Sequence, residues 1–303
     1  MQYIIKNKIK ISITIILLIF YSVHYIIPKY IIEPNHFITL LYRNIKQSNV
    51  NLKICNNSNF KFINSEGMQL NGKFQRGVNI KETKGTIILI HGIRGTRCFY
   101  DSLAKILNKK GYNTLALDLR GHGESEGTVC TFGAKEKYDI VNAIDQLIEQ
   151  YNISNKIGIW GQSLGGSVAL QALAIDSRLQ FGIIESTFSN YETIVHEYIK
   201  RLLNINIPIL SQYLSKRAAE IGDFPLDEAN TSLICPQIKQ PVFMAHGTKD
   251  KHIPIEYGKD NYKLLSTVNK TFYEVAGANH VNLWNVGGDE YLNSIYSFIE
   301  NVK

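Results

Sequence analysis

Lys156-Ile157-Gly158-Ile159-Trp160-Gly161-Gln162-Ser163-Leu164-Gly165-Gly166 reads as a buried strand that turns sharply into a helix. The apolar run Lys156 to Trp160 has strand length, and Leu164 to about Ala174 has helical composition. Between them lies Gly-x-Ser-x-Gly. Alone, that pentapeptide is an ordinary glycine-rich turn. Set between a strand and a helix, it puts Ser163 on a tight, strained corner, where Gly161 and Gly165 leave out the Cβ atoms that would clash. The helix N-terminus behind the serine offers unpaired N–H groups and the positive end of the helix dipole. Ser163 is therefore a candidate nucleophile, and the backbone N–H of Leu164 a candidate donor to an oxyanion.

Outward from this corner, short apolar runs alternate with amphipathic stretches. The runs are Thr86 to Ile90, Asn113 to Leu117, Phe181 to Ile184, Pro241 to Ala245 and Thr271 to Val275. The amphipathic stretches include Tyr100 to Asn108 and Ala134 to Gln150. Such alternation predicts an α/β fold with a parallel sheet buried on both faces. Phe60 to Ile63 and Met68 to Phe74 predict two further strands around a turn at Glu66-Gly67. In an open parallel sheet the ligand site lies beyond the carboxyl ends of the strands.

Two loops follow predicted strands. His91-Gly92-Ile93-Arg94-Gly95 brings the backbone N–H of Ile93 opposite the serine as a second oxyanion donor, with His91 bracing the loop. The other loop is Asp118-Leu119-Arg120-Gly121-His122-Gly123-Glu124-Ser125-Glu126-Gly127. With the serine corner, these loops resemble the α/β-hydrolase superfamily, in the branch of monoacylglycerol lipase-like, lysophospholipase-like and serine aminopeptidase-like members. The resemblance spans roughly residues 60 to 303 and keeps the motifs in family order. It implies a Ser–acid–His triad in that chain order, and structural roles for Asp118, Arg120 and His122. The acid falls at Asp250, in Val242-Phe243-Met244-Ala245-His246-Gly247-Thr248-Lys249-Asp250. Glu185, at the end of the Phe181 strand, is the alternative acid. The base falls at His280, in the loop after Thr271 to Val275. His246 and His252 read as loop residues and His196 as a surface residue.

The segment from about 188 to 235 is far longer than a usual connection between sheet elements. It is rich in Ile, Leu and Tyr, with Tyr198, Ile199, Leu202 and Leu203 at helical spacing. The resemblance implies a helical cap over the site; packing against the main core is the alternative. A serine hydrolase acting on carboxylic esters, of small-molecule or lipid origin, is the first functional reading. An aminopeptidase or amidase with the same triad is the second, with Glu220, Asp223, Asp227 and Glu228 as candidate anchors for a free amine. A non-catalytic binding scaffold is the third. Dehalogenase and epoxide hydrolase chemistry in this fold uses an Asp at the position of Ser163. No metal, phosphate-loop or dinucleotide motif is present, and the mechanism needs no cofactor.

The chain begins with Lys6, Lys8 and Lys10, followed by Ile11 to Ile27 without a charge. That stretch sits at the short limit of ~17–25 residues for a spanning helix. Tyr21, Tyr25 and Tyr30 suit one membrane interface. A cleavable signal is the rival reading, but bulky residues follow where a small-x-small site would be needed. The expected organisation is a signal-anchor over 1–30, a connector over 31–58 and a hydrolase domain over 59–303. The N-terminus is expected in the cytoplasm and the catalytic domain outside it. The formal charge of +7 is not gathered into a basic run interleaved with aromatics, so nucleic-acid binding is not indicated. Cys55, Cys98, Cys130 and Cys235 contain no C-x-x-C pair, which leaves one disulfide or four free buried thiols.

Overall fold

The computed structural model describes residues 2–35, 58–78, 83–153, 156–204 and 206–302. Much of the expected connector, together with Cys55, lies outside the described residues. The centre is an eight-stranded sheet: β1 (Phe60–Ile63), β2 (Gln69–Gln75), β3 (Gly85–Ile90), β4 (Tyr112–Asp118), β5 (Ile157–Gln162), β6 (Leu179–Glu185), β7 (Val242–Gly247) and β8 (Lys270–Val275). Its order is β1-β2-β4-β3-β5-β6-β7-β8. β1 and β2 form an antiparallel hairpin, β2 joins β4 antiparallel, and every pair from β4 to β8 is parallel. The six runs expected as parallel strands and the two-strand hairpin all occur, with ends moved by one or two residues.

The apolar strands alternate their side chains between two cores, as the two-residue period of a strand requires. Ile88, Ile90, Ile159, Ile184 and Met244 face one core. Ile87, Leu89, Trp160, Ile183 and Phe243 face the other. The described helices are α1 (Gln2–Tyr21), α2 (Ile27–Ile32), α3 (Asp101–Lys109), α4 (Glu136–Tyr151), α5 (Leu164–Ile175), α6 (Tyr191–Leu203), α7 (Pro208–Gly222), α8 (Thr231–Ile234), α9 (Ile255–Leu264) and α10 (Leu283–Asn301). α4 and α5 cover the first face, and α3 and α10 the second. This is the α/β-hydrolase fold. Between β6 and β7 stand α6, α7 and the short α8, so the long insert is helical as expected.

α1 continues through a π-helical turn, Ser22–Ile26, into α2. Over Lys6–Ile32 the mean hydropathy reaches 2.0, and by length and composition this helix can cross a membrane. Its apolar side chains are exposed up to Tyr21. From Val23 onward it packs on the hydrolase domain, with Ile32 fully buried in the first core. Cys98 is disulfide-bonded, whereas Cys130 and Cys235 are free and buried. The option of four free thiols is thereby corrected.

Truncating a side chain in the central strand forfeits its transfer free energy and leaves a cavity between rigid neighbours. Ile88, fully buried in β3, is expected to cost about 2–5 kcal/mol as Ile88→Ala. Ile63→Ala at an exposed edge position should stay within about 0.5 kcal/mol. Chemical denaturation of the full chain checks both.

Candidate active site

Ser163 sits between β5 and α5 with φ +57° and ψ −118°, a conformation that costs a non-glycine residue about 1–3 kcal/mol. The surroundings enforce it. Ser163 N–H donates to Glu185 O at 2.8 Å, and its carbonyl accepts from Gly166 N–H at 3.0 Å and from Thr187 Oγ1 at 2.9 Å. A Cβ on Gly161 would stand 2.1 Å from Gly165 O, and one on Gly165 would stand 2.0 Å from Ile90 O. The two glycines therefore let α5 start against β3 and β5, which thrusts the serine side chain above the sheet.

The three expected polar side chains meet there. His280 Nε2 lies 3.0 Å from Ser163 Oγ, and His280 Nδ1 lies 2.7 Å from Asp250 Oδ2. With His280 Nδ1–H donating to the aspartate, Nε2 is free to accept from the serine. The loops that carry these groups are stitched to one another. Gln162 Nε2 donates to His280 O at 2.9 Å, and Lys249 N–H donates to Ala278 O at 2.8 Å. Asp250 Oδ1 accepts the backbone N–H groups of His252 and Ile253 at 2.8 and 3.0 Å. Burial by itself would raise the Asp250 pKa. Hydrogen bonds from His246 and His280 outweigh it and hold the carboxyl well below the ordinary carboxylate range.

Glu185, the alternative acid, is used differently. It is fully buried and accepts from Trp160 Nε1 at 2.9 Å, Trp284 Nε1 at 2.8 Å and the Tyr291 hydroxyl at 2.5 Å. It braces β5, β6 and α10, while Asp250 occupies the histidine. Burial raises the Glu185 pKa against the pull of those three donors.

The His-Gly turn packs on the serine: a Cβ on Gly92 would stand 3.3 Å from the Ser163 Cβ. Ile93, Ser163 and Leu164 all border one cavity of about 320 Å³. His91 Nδ1–H donates to Gly92 O at 2.8 Å and Nε2 accepts from Leu119 N–H at 3.2 Å, so it braces the loop as a neutral ring whose pKa burial lowers. Asp118 takes the Arg97 backbone and guanidinium and the Glu124 N–H. Arg120 grips Asp139 through two bonds of 2.8 Å. Both are loop-shaping contacts.

Two histidines, His246 and His196, differ from the sequence expectation, while His252 is a loop residue as expected. His246 belongs to β7, buried, with Nε2 donating to Ile253 O at 2.9 Å and standing 3.3 Å from Asp250 Oδ2. The His252 ring stacks on that of His280 at 5.3 Å between centroids. His196 is half-buried and joins α6 to α7 through Ser211 Oγ at 2.9 Å. The position of His246 four residues before Asp250 was the available signal. Nothing in the sequence marked the stacking of His252.

Two substitutions separate the carboxylates. Asp250→Asn should lower kcat by about 10⁴-fold through loss of the correct histidine tautomer. Glu185→Gln should keep turnover but lower thermal stability by about 1–3 kcal/mol, because an amide cannot accept all three donors. Asp250→Asn should also flatten the acid limb of stability. Its folded pKa is depressed, so the unfolded chain binds the proton first. The carboxylate's contribution is complete above about pH 4 and drains as the pH falls further. Steady-state rates and melting curves against pH check these outcomes.

A family described as "Serine aminopeptidase, S33" matches residues 81–220. The chain is 24% identical over 230 residues to the uncharacterized protein YqkD of Bacillus subtilis, covering 73% of each. It is 26% identical over 187 residues to the lysophosphatidylserine lipase ABHD12 of Macaca fascicularis, covering 59% of this chain and 45% of that protein. The Pyrococcus furiosus esterase Pf2001 superposes with a TM-score of 0.66 at 24% identity, over 80% of this chain and 90% of that one. Motif order, strand order and these relatives agree: the chain has the α/β-hydrolase fold, and its similarities lie within the α/β-hydrolase superfamily.

Proposed function

We propose that this hydrolase cleaves carboxylic esters, lipid-derived acyl esters among them, through an acyl-enzyme on Ser163, while held at a membrane by its N-terminal helix. The observation that carries the reading is the continuous hydrogen-bonded chain from Ser163 Oγ through His280 to Asp250. His280 Nε2 takes the serine proton as Oγ attacks the acyl carbonyl. The backbone N–H groups of Ile93 and Leu164 receive the developing oxyanion. As the C–O bond to the alcohol breaks, His280 returns the proton to the leaving oxygen. Water, deprotonated by the same histidine, then releases the acid. Asp250 holds the ring and stabilises the imidazolium at each stage.

The composition of the cavity favours esters over amine-anchored substrates. Its walls carry Phe132, Phe188, Ile194, Val195 and Ile199, and its charged members are Arg94 and Arg201. Among the described residues, no carboxylate lines it. Of the acids considered as amine anchors, Glu220 pairs with Arg217 at 2.9 Å, Asp223 with Lys135 at 3.3 Å and Glu228 with Lys137 at 2.7 Å, all away from the cavity. The lipase and esterase among its relatives support the same class. Placement of the catalytic domain outside the cytoplasm is supported by Lys6, Lys8 and Lys10 before the apolar helix. It is supported also by the disulfide at Cys98, a bond that persists in oxidising compartments.

Labelling the purified chain with a fluorophosphonate, wild type against Ser163→Ala, tests the nucleophile. Labelling should vanish in the variant, and turnover should fall on the order of 10⁴-fold or more. A paired panel of acyl esters and aminoacyl amides tests the class: esters should be preferred, and a preference for amides would overturn the reading in favour of an aminopeptidase.

A further inference from the structure

One wall of the cavity above Ser163 comes from the N-terminal helix. Ile27, Tyr30 and Ile31 line it, and they belong to the same continuous helix whose earlier turns, Ile11 to Tyr21, leave every large apolar side chain at least half exposed. The helix end is firmly seated. Ile32 is buried, with Val23, Ile27 and Ile31 packed against the same core. Ile32 O accepts from Cys130 N–H at 2.7 Å, and Asn35 Nδ2 donates to Gly121 O at 3.1 Å. Arg94, the residue after the oxyanion donor Ile93, donates to Tyr30 O at 2.8 Å and lays its guanidinium 4.7 Å from the Tyr30 ring centroid. Arg94 holds a φ of +59°, so this grip helps fix the backbone beside the oxyanion site.

Helix length sets the depth of this arrangement. A span needs ~20 residues at ~1.5 Å each, which, counted from Lys10, reaches Lys29 and Tyr30. The part of the helix free of the domain ends at Tyr21, roughly half that length. The following turns are covered by α7: Tyr213 hydrogen-bonds His24, and Arg217 reaches His24 O at 3.4 Å and lies 5.6 Å from the Tyr25 ring centroid. For the helix to span, the cap must rest in the interface. Its start is suited to that, with Ile207, Ile209 and Tyr213 exposed by 43%, 76% and 41%.

We propose that the last turns of the N-terminal helix, Ile27–Ile32, are a wall of the acyl pocket, and that the pocket receives the acyl chain of a lipid ester directly from the leaflet beside that helix. This rests on the ester-hydrolase and membrane reading above. The anchor is then part of the substrate site as well as a tether. An apolar wall continuous with the span lets an acyl chain pass from lipid to the serine without crossing water.

The test uses the full chain in detergent micelles and in lipid nanodiscs, with p-nitrophenyl butyrate and p-nitrophenyl laurate as paired substrates. Ile31→Trp, which fills the wall, should lower the laurate-to-butyrate ratio of kcat/KM by about tenfold or more. Ile31→Ala should move the ratio the other way. A ratio that neither substitution moves overturns the proposal. A misfolded Ile31→Trp loses both substrates together, and Ile27→Ala then decides on the same ratio: a shift toward laurate supports the wall, and no shift removes it. Absence of Ser163-dependent turnover in the wild-type chain is a separate result that removes the ester-hydrolase reading itself.

Discussion

The close approach of the helix after Ser163 to the two central strands is the constraint on which the site depends. Gly161 and Gly165 allow that approach: any Cβ there would meet a backbone carbonyl or its neighbours. The resulting corner forces Ser163 into a left-handed conformation and aims the helix N-terminus at the space above its hydroxyl. The strain persists because parallel β3, β5 and β6, packed on both faces, leave the turn no alternative path. A sheet buried on one face only would allow the turn to relax.

The polar groups around that corner divide between chemistry and support. Asp250 keeps its charge because two ring N–H groups and two backbone N–H groups converge on it. Glu185, more deeply buried, is held by three neutral donors and locks the last helix to the sheet. The two carboxylates follow successive strands, so only the direction of the histidine loop assigns them. His246 contacts Asp250 and the His252 ring stacks on that of His280, so both members of the Asp250–His280 pair are packed by a second imidazole.

The N-terminal helix adds a feature absent from the hydrolase sheet itself. Its end replaces solvent over part of the cavity and is tied to the loop after β3 by Arg94. Catalytic domain and apolar helix therefore share a core, and the environment of one bears on the other. Three acidic residues of the insert, Asp223, Glu228 and Glu220, are engaged in ion pairs with Lys135, Lys137 and Arg217.

Local patterning was enough to reveal the strand–helix alternation, the serine corner and the apolar N-terminal helix, while the loops bearing Asp250 and His280 were picked out by the resemblance to α/β-hydrolases. These are readable because periodicity, glycine placement and chain order act over a few residues. Long-range packing decided the rest. Glu185 ends β6 and Asp250 lies in the loop after β7, and only the folded loops bring one of them to His280. His196 resembled a surface residue until α6 and α7 met around it. Cys98 entered a disulfide that spacing could not select. Residues 27 to 31 read as the end of an anchor, and became a wall of the cavity because a helix that looks unpartnered along the sequence finds its partner in the cap, nearly two hundred residues away. Such contacts depend on which faces meet in three dimensions, and no local pattern encodes that choice.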